Sequence, residues 1–100
     1  MGKLFIASNG LVSCIDSRTG QEVWRTSLNT GGIFSSRSYQ DVSVLEDGGW
    51  VYAGYIGHLF CLDADTGATL WHNSLEGYGH DDVSMCINGK YSFTKSPEGD

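Results

Sequence analysis

No run of basic residues occurs anywhere in these 100 residues, where 6 Lys and Arg stand against 12 Asp and Glu for a net charge of −6. Duplex affinity is built largely on clustered Lys and Arg that neutralise phosphates, so nucleic acid is not expected as a partner. Nor does any apolar stretch approach the 18 or so residues of a membrane span. The N-terminal Met1-Gly2-Lys3-Leu4-Phe5-Ile6 turns polar at Ser8-Asn9-Gly10, too soon for the apolar region of a signal peptide. With Met1 as the start, the expected location is the cytoplasm. The 3 cysteines are an odd number without metal-type spacing, which argues against a disulfide framework. His58, His72 and His80 show no H-x-x-x-H grouping, so no zinc site is expected. The chain does have 40% apolar residues and only 18% charged ones, enough to bury a core and too little charge for disorder.

The chain also repeats itself. Gly10, Cys14, Asp16, Thr19, Gly20, Trp24, Ser27 and Leu28 recur as Gly57, Cys61, Asp63, Thr66, Gly67, Trp71, Ser74 and Leu75, each pair 47 positions apart. A period of this size means a solenoid, a propeller or an array. Short strands joined by Gly-containing turns select an all-β fold, a β-propeller of four-stranded antiparallel blades. Two blades' worth of strands do not close a ring, and bare faces and edges are aggregation liabilities. Closure by homo-oligomerisation is therefore expected, with the chain itself as principal partner: four copies make eight blades and three make six, and the homotetramer is favoured, a homotrimer coming next, only by the family resemblance given below.

With the strands of a blade lettered A to D from the channel outward, the reading is B-C-D, then A-B-C-D, then A-B. Residues 1–28 supply B-C-D as Lys3 to Ser8, Leu11 to Ile15 and Gln21 to Leu28. Residues 41–75 supply a complete blade as Asp41 to Leu45, Trp50 to Tyr55, His58 to Leu62 and Ala68 to Ser74. Residues 82–94 supply A, Asp82 to Ile87, and a redundant B, Lys90 to Thr94, with Asn9-Gly10 and Asn88-Gly89 as hairpin turns. In the ring, the A strand of one copy is expected inside B-C-D of the next. The more apolar Lys3 to Ser8 then displaces the segment from Lys90 onward.

The segment Leu59-Phe60-Cys61-Leu62-Asp63-Ala64-Asp65-Thr66-Gly67-Ala68-Thr69-Leu70-Trp71 resembles the repeat of the pyrroloquinoline-quinone-like β-propellers, and Cys14 to Trp24 is similar, with Ile15 for Leu and Ser17 for Ala. That family includes quinoprotein alcohol dehydrogenases and non-enzymatic relatives. The resemblance implies a structural role for Asp16, Thr19, Gly20 and Trp24, and for Asp63, Thr66, Gly67 and Trp71. The Asp accepts turn amides, the Gly supplies a positive φ and the Trp packs between blades. The dehydrogenase activity does not carry over. The chain has no adjacent cysteines for the vicinal disulfide, and its repeats offer no position for the catalytic Asp.

Asp63-Ala64-Asp65-Thr66-Gly67 also opens like a calcium loop, but Arg18 replaces the second carboxylate in the other copy, so a plain turn is expected. Cys14, Cys61 and Cys86 read as small packed residues, and His72 as a solvated residue of an outer strand. The candidate ligand site lies on the D-to-A connections, which carry Phe34, Arg37 and Tyr39 in one case and Tyr78, His80 and Asp81 in the other. Around a channel mouth these suit a peptide or small polar ligand. The expected function is a non-enzymatic binding or scaffold module without a cofactor or metal. The alternatives are a fragment of a quinone-dependent oxidoreductase and a small-ligand or glycan-binding lectin.

Overall fold

The computed structural model describes residues 2–29 and 41–92, and among these there is no helix. The strands are β1 (Lys3–Ser8), β2 (Leu11–Asp16), β3 (Glu22–Ser27), β4 (Val42–Asp47), β5 (Trp50–Tyr55), β6 (His58–Asp63), β7 (Thr69–Asn73), β8 (Met85–Ile87) and β9 (Lys90–Ser92). They form a three-stranded sheet β1-β2-β3, a four-stranded sheet β4-β5-β6-β7 and the pair β8-β9, antiparallel throughout. The fold is all-β, with sheets of the kind that make propeller blades.

The two larger sheets repeat each other in detail. Lys3 pairs with Asp16 as Trp50 pairs with Asp63, and Ser8 with Leu11 as Tyr55 with His58. The register slips between Cys14 and Ile15 in one sheet and between Cys61 and Leu62 in the other. These bulges sharpen the local twist at the same place in each repeat. The tight turns put two residues at positive φ: Asn9 and Gly10 at 55° and 78°, Asn88 and Gly89 at 50° and 83°. That is the hairpin geometry whose twist matches the strands, and Asn-Gly is its natural occupant.

The core lies between the first and second sheets. Val51, Ala53 and Tyr55 on β5 alternate toward the first sheet, joined by Phe60 and Leu62 on β6 and Val42 on β4. Val12, Cys14, Trp24 and Leu28 meet them from the other side. Burying side chains such as Val51, Phe60 and Leu62 contributes about 1.5–3 kcal/mol each. The opposite face of the second sheet, with Leu45, Tyr52, Leu59 and Trp71, turns toward β8.

Two details differ from expectation. The A strand expected over Asp82 to Ile87 is a strand only from Met85, and Val83 before it leans on β4 and β5. The Ser43 hydroxyl donates to the Val83 carbonyl at 2.6 Å, and Gly54 leaves room for Val83, whose Cβ would stand 2.6 Å from any Cβ added at that glycine. Cys86, expected to pack like the other two cysteines, is exposed. It lines an open cleft of about 350 Å³ with Leu45, Tyr52, Leu59 and Trp71, because β8-β9 covers only part of that face. The second B strand runs Lys90–Ser92, and residues 93 and 94 lie outside the described residues.

Candidate functional site

The two Asp-to-Gly turns are built alike. The Asp63 carboxylate accepts from the amides of Asp65 at 2.8 Å and Thr66 at 3.1 Å, and the Asp16 carboxylate accepts from that of Arg18 at 2.9 Å. The hydroxyls of Thr66 and Thr19 accept the amides of Ala68 and Gln21, both at 3.2 Å. Gly67 and Gly20 sit at φ 81° and 80°. Each turn is tied to the backbone just before the strand it faces, β5 or β1: the Ala64 amide donates to the Gly49 carbonyl and that of Ser17 to the Gly2 carbonyl, both at 3.0 Å. These carboxylates serve backbone donors, as a plain turn requires. Among the described residues no cluster of three metal-ligating side chains occurs.

At the seam between the two sheets, the Trp24 indole N–H donates to the Ala64 carbonyl at 3.0 Å, and the ring is 9% exposed. Its face lies on Gly67, where an added Cβ would come within 2.6 Å of the ring. Thr26 Oγ1 donates to the Gly67 carbonyl at 2.6 Å, and Lys3 pairs with Asp65 at 3.0 Å. The hydrogen bond from Lys3 to Asp65 and the charge of Asp65 together hold the ammonium above its usual pKa. Trp71 differs. It keeps the same relation to its neighbours, with Tyr52 6.3 Å away at 46° where Phe5 stands 6.1 Å from Trp24 at 40°, yet it is 44% exposed. The expected burial between blades holds for Trp24 and not for Trp71 within one chain.

The connection from β7 to β8 lies against the turn from β5 to β6. Gly57, at φ 82°, has no room for a Cβ because the Gly79 carbonyl and His80 backbone press on it. Ile56 before it takes φ 41°, an uncommon value for a β-branched residue, where the first repeat has Asn9. Beside this contact is a cleft of about 310 Å³ lined by Gly57, Leu59, Leu75, Tyr78, Asp81 and residues 82–85. Of the predicted ligand residues the structure thus brings Tyr78 and Asp81 together. His80 packs its backbone on Gly57 without lining the cleft, while Phe34, Arg37 and Tyr39 lie outside the described residues. Asp81 also accepts the amide of Asp82 at 2.9 Å.

One cluster went unseen in the sequence. Phe60 and His72 are cross-strand partners, and His58 is two residues from Phe60 on the same face. The His72 ring lies parallel to Phe60 at 4.4 Å, and His58 Nδ1 is 2.8 Å from His72 Nε2. Burial, then His72 and His80, lowers the His58 pKa, favouring its neutral form. The usable signal was the period-2 alternation on both sides of the C-to-D turn; a search for linear His spacing misses it. His72 is exposed, as expected, but it is not merely solvated. Cys14 and Cys61 are packed, and burial raises both thiol pKa values, which makes them poor nucleophiles.

No curated protein matches the chain. Residues 8–96 match the PQQ-like repeat family whose model is described as outer membrane protein assembly factor BamB. The duplicated register, the paired Asp-to-Gly turns and the tryptophan seam are what such a repeat looks like in structure, and the chain belongs to that PQQ-like, BamB-type family.

Proposed function

We propose that this chain is a non-enzymatic propeller module that completes a ring with further copies of itself and holds a peptide or small polar ligand at the channel mouth. The supporting observation is the strand inventory. A sheet of three strands, a full sheet of four and a pair stand in one chain, and the pair supplies the kind of A strand that the first sheet does not have. Four copies make eight blades and three make six, both within the usual range for propellers; four is favoured. The buried, weakly acidic thiols and the turn carboxylates committed to backbone amides are in keeping with a module that does no chemistry. So is a family description that speaks of assembly.

The deciding measurement for the ring is solution mass by light scattering. A multiple of the chain mass at micromolar concentration is expected, and a monomer with a cooperative melt overturns the ring. For the ligand site, Tyr39 and Tyr78 replaced together by Ala abolish binding of a peptide selected on the intact protein and leave the mass unchanged. Unaltered binding by that double variant removes the loops from the proposal.

A further inference from the structure

We propose that His58 and His72 together hold a divalent transition-metal ion of tetragonal preference, Cu(II) above all, on the second sheet. The strand register brings the two rings together. Phe60 pairs with His72 across β6 and β7, and His58 stands two residues from Phe60 on the same face, so the two histidines are diagonal neighbours. His58 Nδ1 and His72 Nε2 are 2.8 Å apart. The site is complete within one chain and does not depend on ring closure.

That separation selects the ion. A metal bonded to two imidazole nitrogens at about 2.0–2.1 Å holds them about 2.8–3.0 Å apart at a right angle and about 3.3–3.4 Å apart at a tetrahedral one. The pair thus fits two adjacent corners of a square, the arrangement of Cu(II) and Ni(II), better than the wider span that Zn(II) takes in tetrahedral sites. With two protein ligands rather than three, water takes the remaining corners from the exposed side of His72. One of the two nitrogens carries a proton in the metal-free pair, because two bare lone pairs would repel at this distance. That imidazole becomes a ligand by moving its proton to its other ring nitrogen, with no change of charge.

The surroundings hold the ligands in place. The His72 ring lies on Phe60 at 4.4 Å with 2° between the planes, and Phe60 is itself 2% exposed, so the core fixes the outer ligand. The lowered pKa of His58 keeps its ring neutral, and so able to bind a metal, at neutral pH. The repeat itself does not ask for this pair. At the positions 47 earlier stand Leu11, Ser13 and Arg25, and Arg25 turns to Glu22 at 2.8 Å. The two histidines therefore have no counterpart in the architecture that the sheets share.

The test is titration of the full 100-residue chain with copper(II) sulfate, followed by calorimetry and electron paramagnetic resonance. The chain carries Cys86→Ser throughout, so that the exposed thiol neither binds nor reduces the ion. One ion per chain is expected, with two imidazole nitrogens in its spectrum. The urea midpoint should rise with added metal, because the ion ties β7 to β6. Zn(II) should bind more weakly. His58→Gln and His72→Gln should each weaken binding by at least the about ten- to hundred-fold that losing even an outer partner of a ligand costs, whereas His80→Ala should leave it nearly unchanged. Far-UV circular dichroism checks that each variant is folded, and His72→Gln, on the exposed strand, carries the result should His58→Gln misfold. No binding up to millimolar copper, fewer than two imidazole nitrogens in the spectrum, Zn(II) binding as tight as that of Cu(II), or an equal loss on His80→Ala overturns the site. None of these outcomes bears on the propeller reading, whose test is solution mass.

Discussion

Two glycines in equivalent turns have different neighbours, and that difference is measurable. Gly67→Ala adds a strained positive φ and drives a methyl into the Trp24 ring, so it should cost about 2–4 kcal/mol. Gly20→Ala adds only the φ strain, about 1–2 kcal/mol in the single chain. Urea melts at low concentration compare them, and equal losses would contradict the seam geometry. Trp24→Ala should cost about 3–5 kcal/mol. Trp24→Phe should cost about 1–3 kcal/mol, since it orphans the Ala64 carbonyl. His58 sets a pH dependence. The folded state lowers the His58 pKa, so the unfolded chain takes up the proton first as pH falls. The contribution to stability is full above about pH 6.5 and is lost as pH drops through the lower folded value. His58→Gln should flatten the stability profile below about pH 6.5; an unchanged slope removes His58 as its cause.

Polar contacts tie the β8-β9 hairpin to the end of β4. Lys90 pairs with Asp47 at 3.1 Å and Asn88 with the same carboxylate at 3.2 Å, while Tyr91 is 64% exposed. Ion pairs near the surface are worth roughly 0–1 kcal/mol, so if the copies close a ring as proposed, β9 is expected to yield its place to the more apolar β1 of another copy. Deleting Lys90 to Asp100 should leave assembly intact, whereas deleting Asp82 to Asp100 should abolish it. Gel filtration of the two truncations checks this, and the reverse pattern refutes the exchange. Strand positions were legible in the sequence because Gly-containing turns punctuate it and the hydrophobic alternation between them is regular; β1 and β5 fall where they were expected. The short β8 was not legible. Nothing local in Asp82-Val83-Ser84 differs from Asp41-Val42-Ser43, and only the contacts of Val83 with Gly54 and Ser43 set them apart. The candidate cleft was half legible. The connection and its Tyr78 and Asp81 could be named, but the pressing of Gly79 and His80 on Gly57 depends on how two loops meet.

At the scale of the molecule, the chain has one occupied tryptophan seam, a half-exposed Trp71 and an open turn at Gly20. Such a protomer is directional, with a knob on one side and a socket on the other, and head-to-tail contact closes only if the rotation per copy divides the circle. If the copies close a ring as proposed, the Trp71→Ala chain keeps the socket and lacks the knob, so it should join an assembly but interrupt it. Mixed with wild type, it should then act as a dominant poison, with a dose response that counts subunits. At equal amounts, random mixing leaves about one ring in sixteen free of the variant if four copies close the circle, and about one in eight if three do. A fall merely proportional to dilution would mean that the copies do not depend on one another. The half-bared indole at position 71 is thus a device for reading the stoichiometry of the whole.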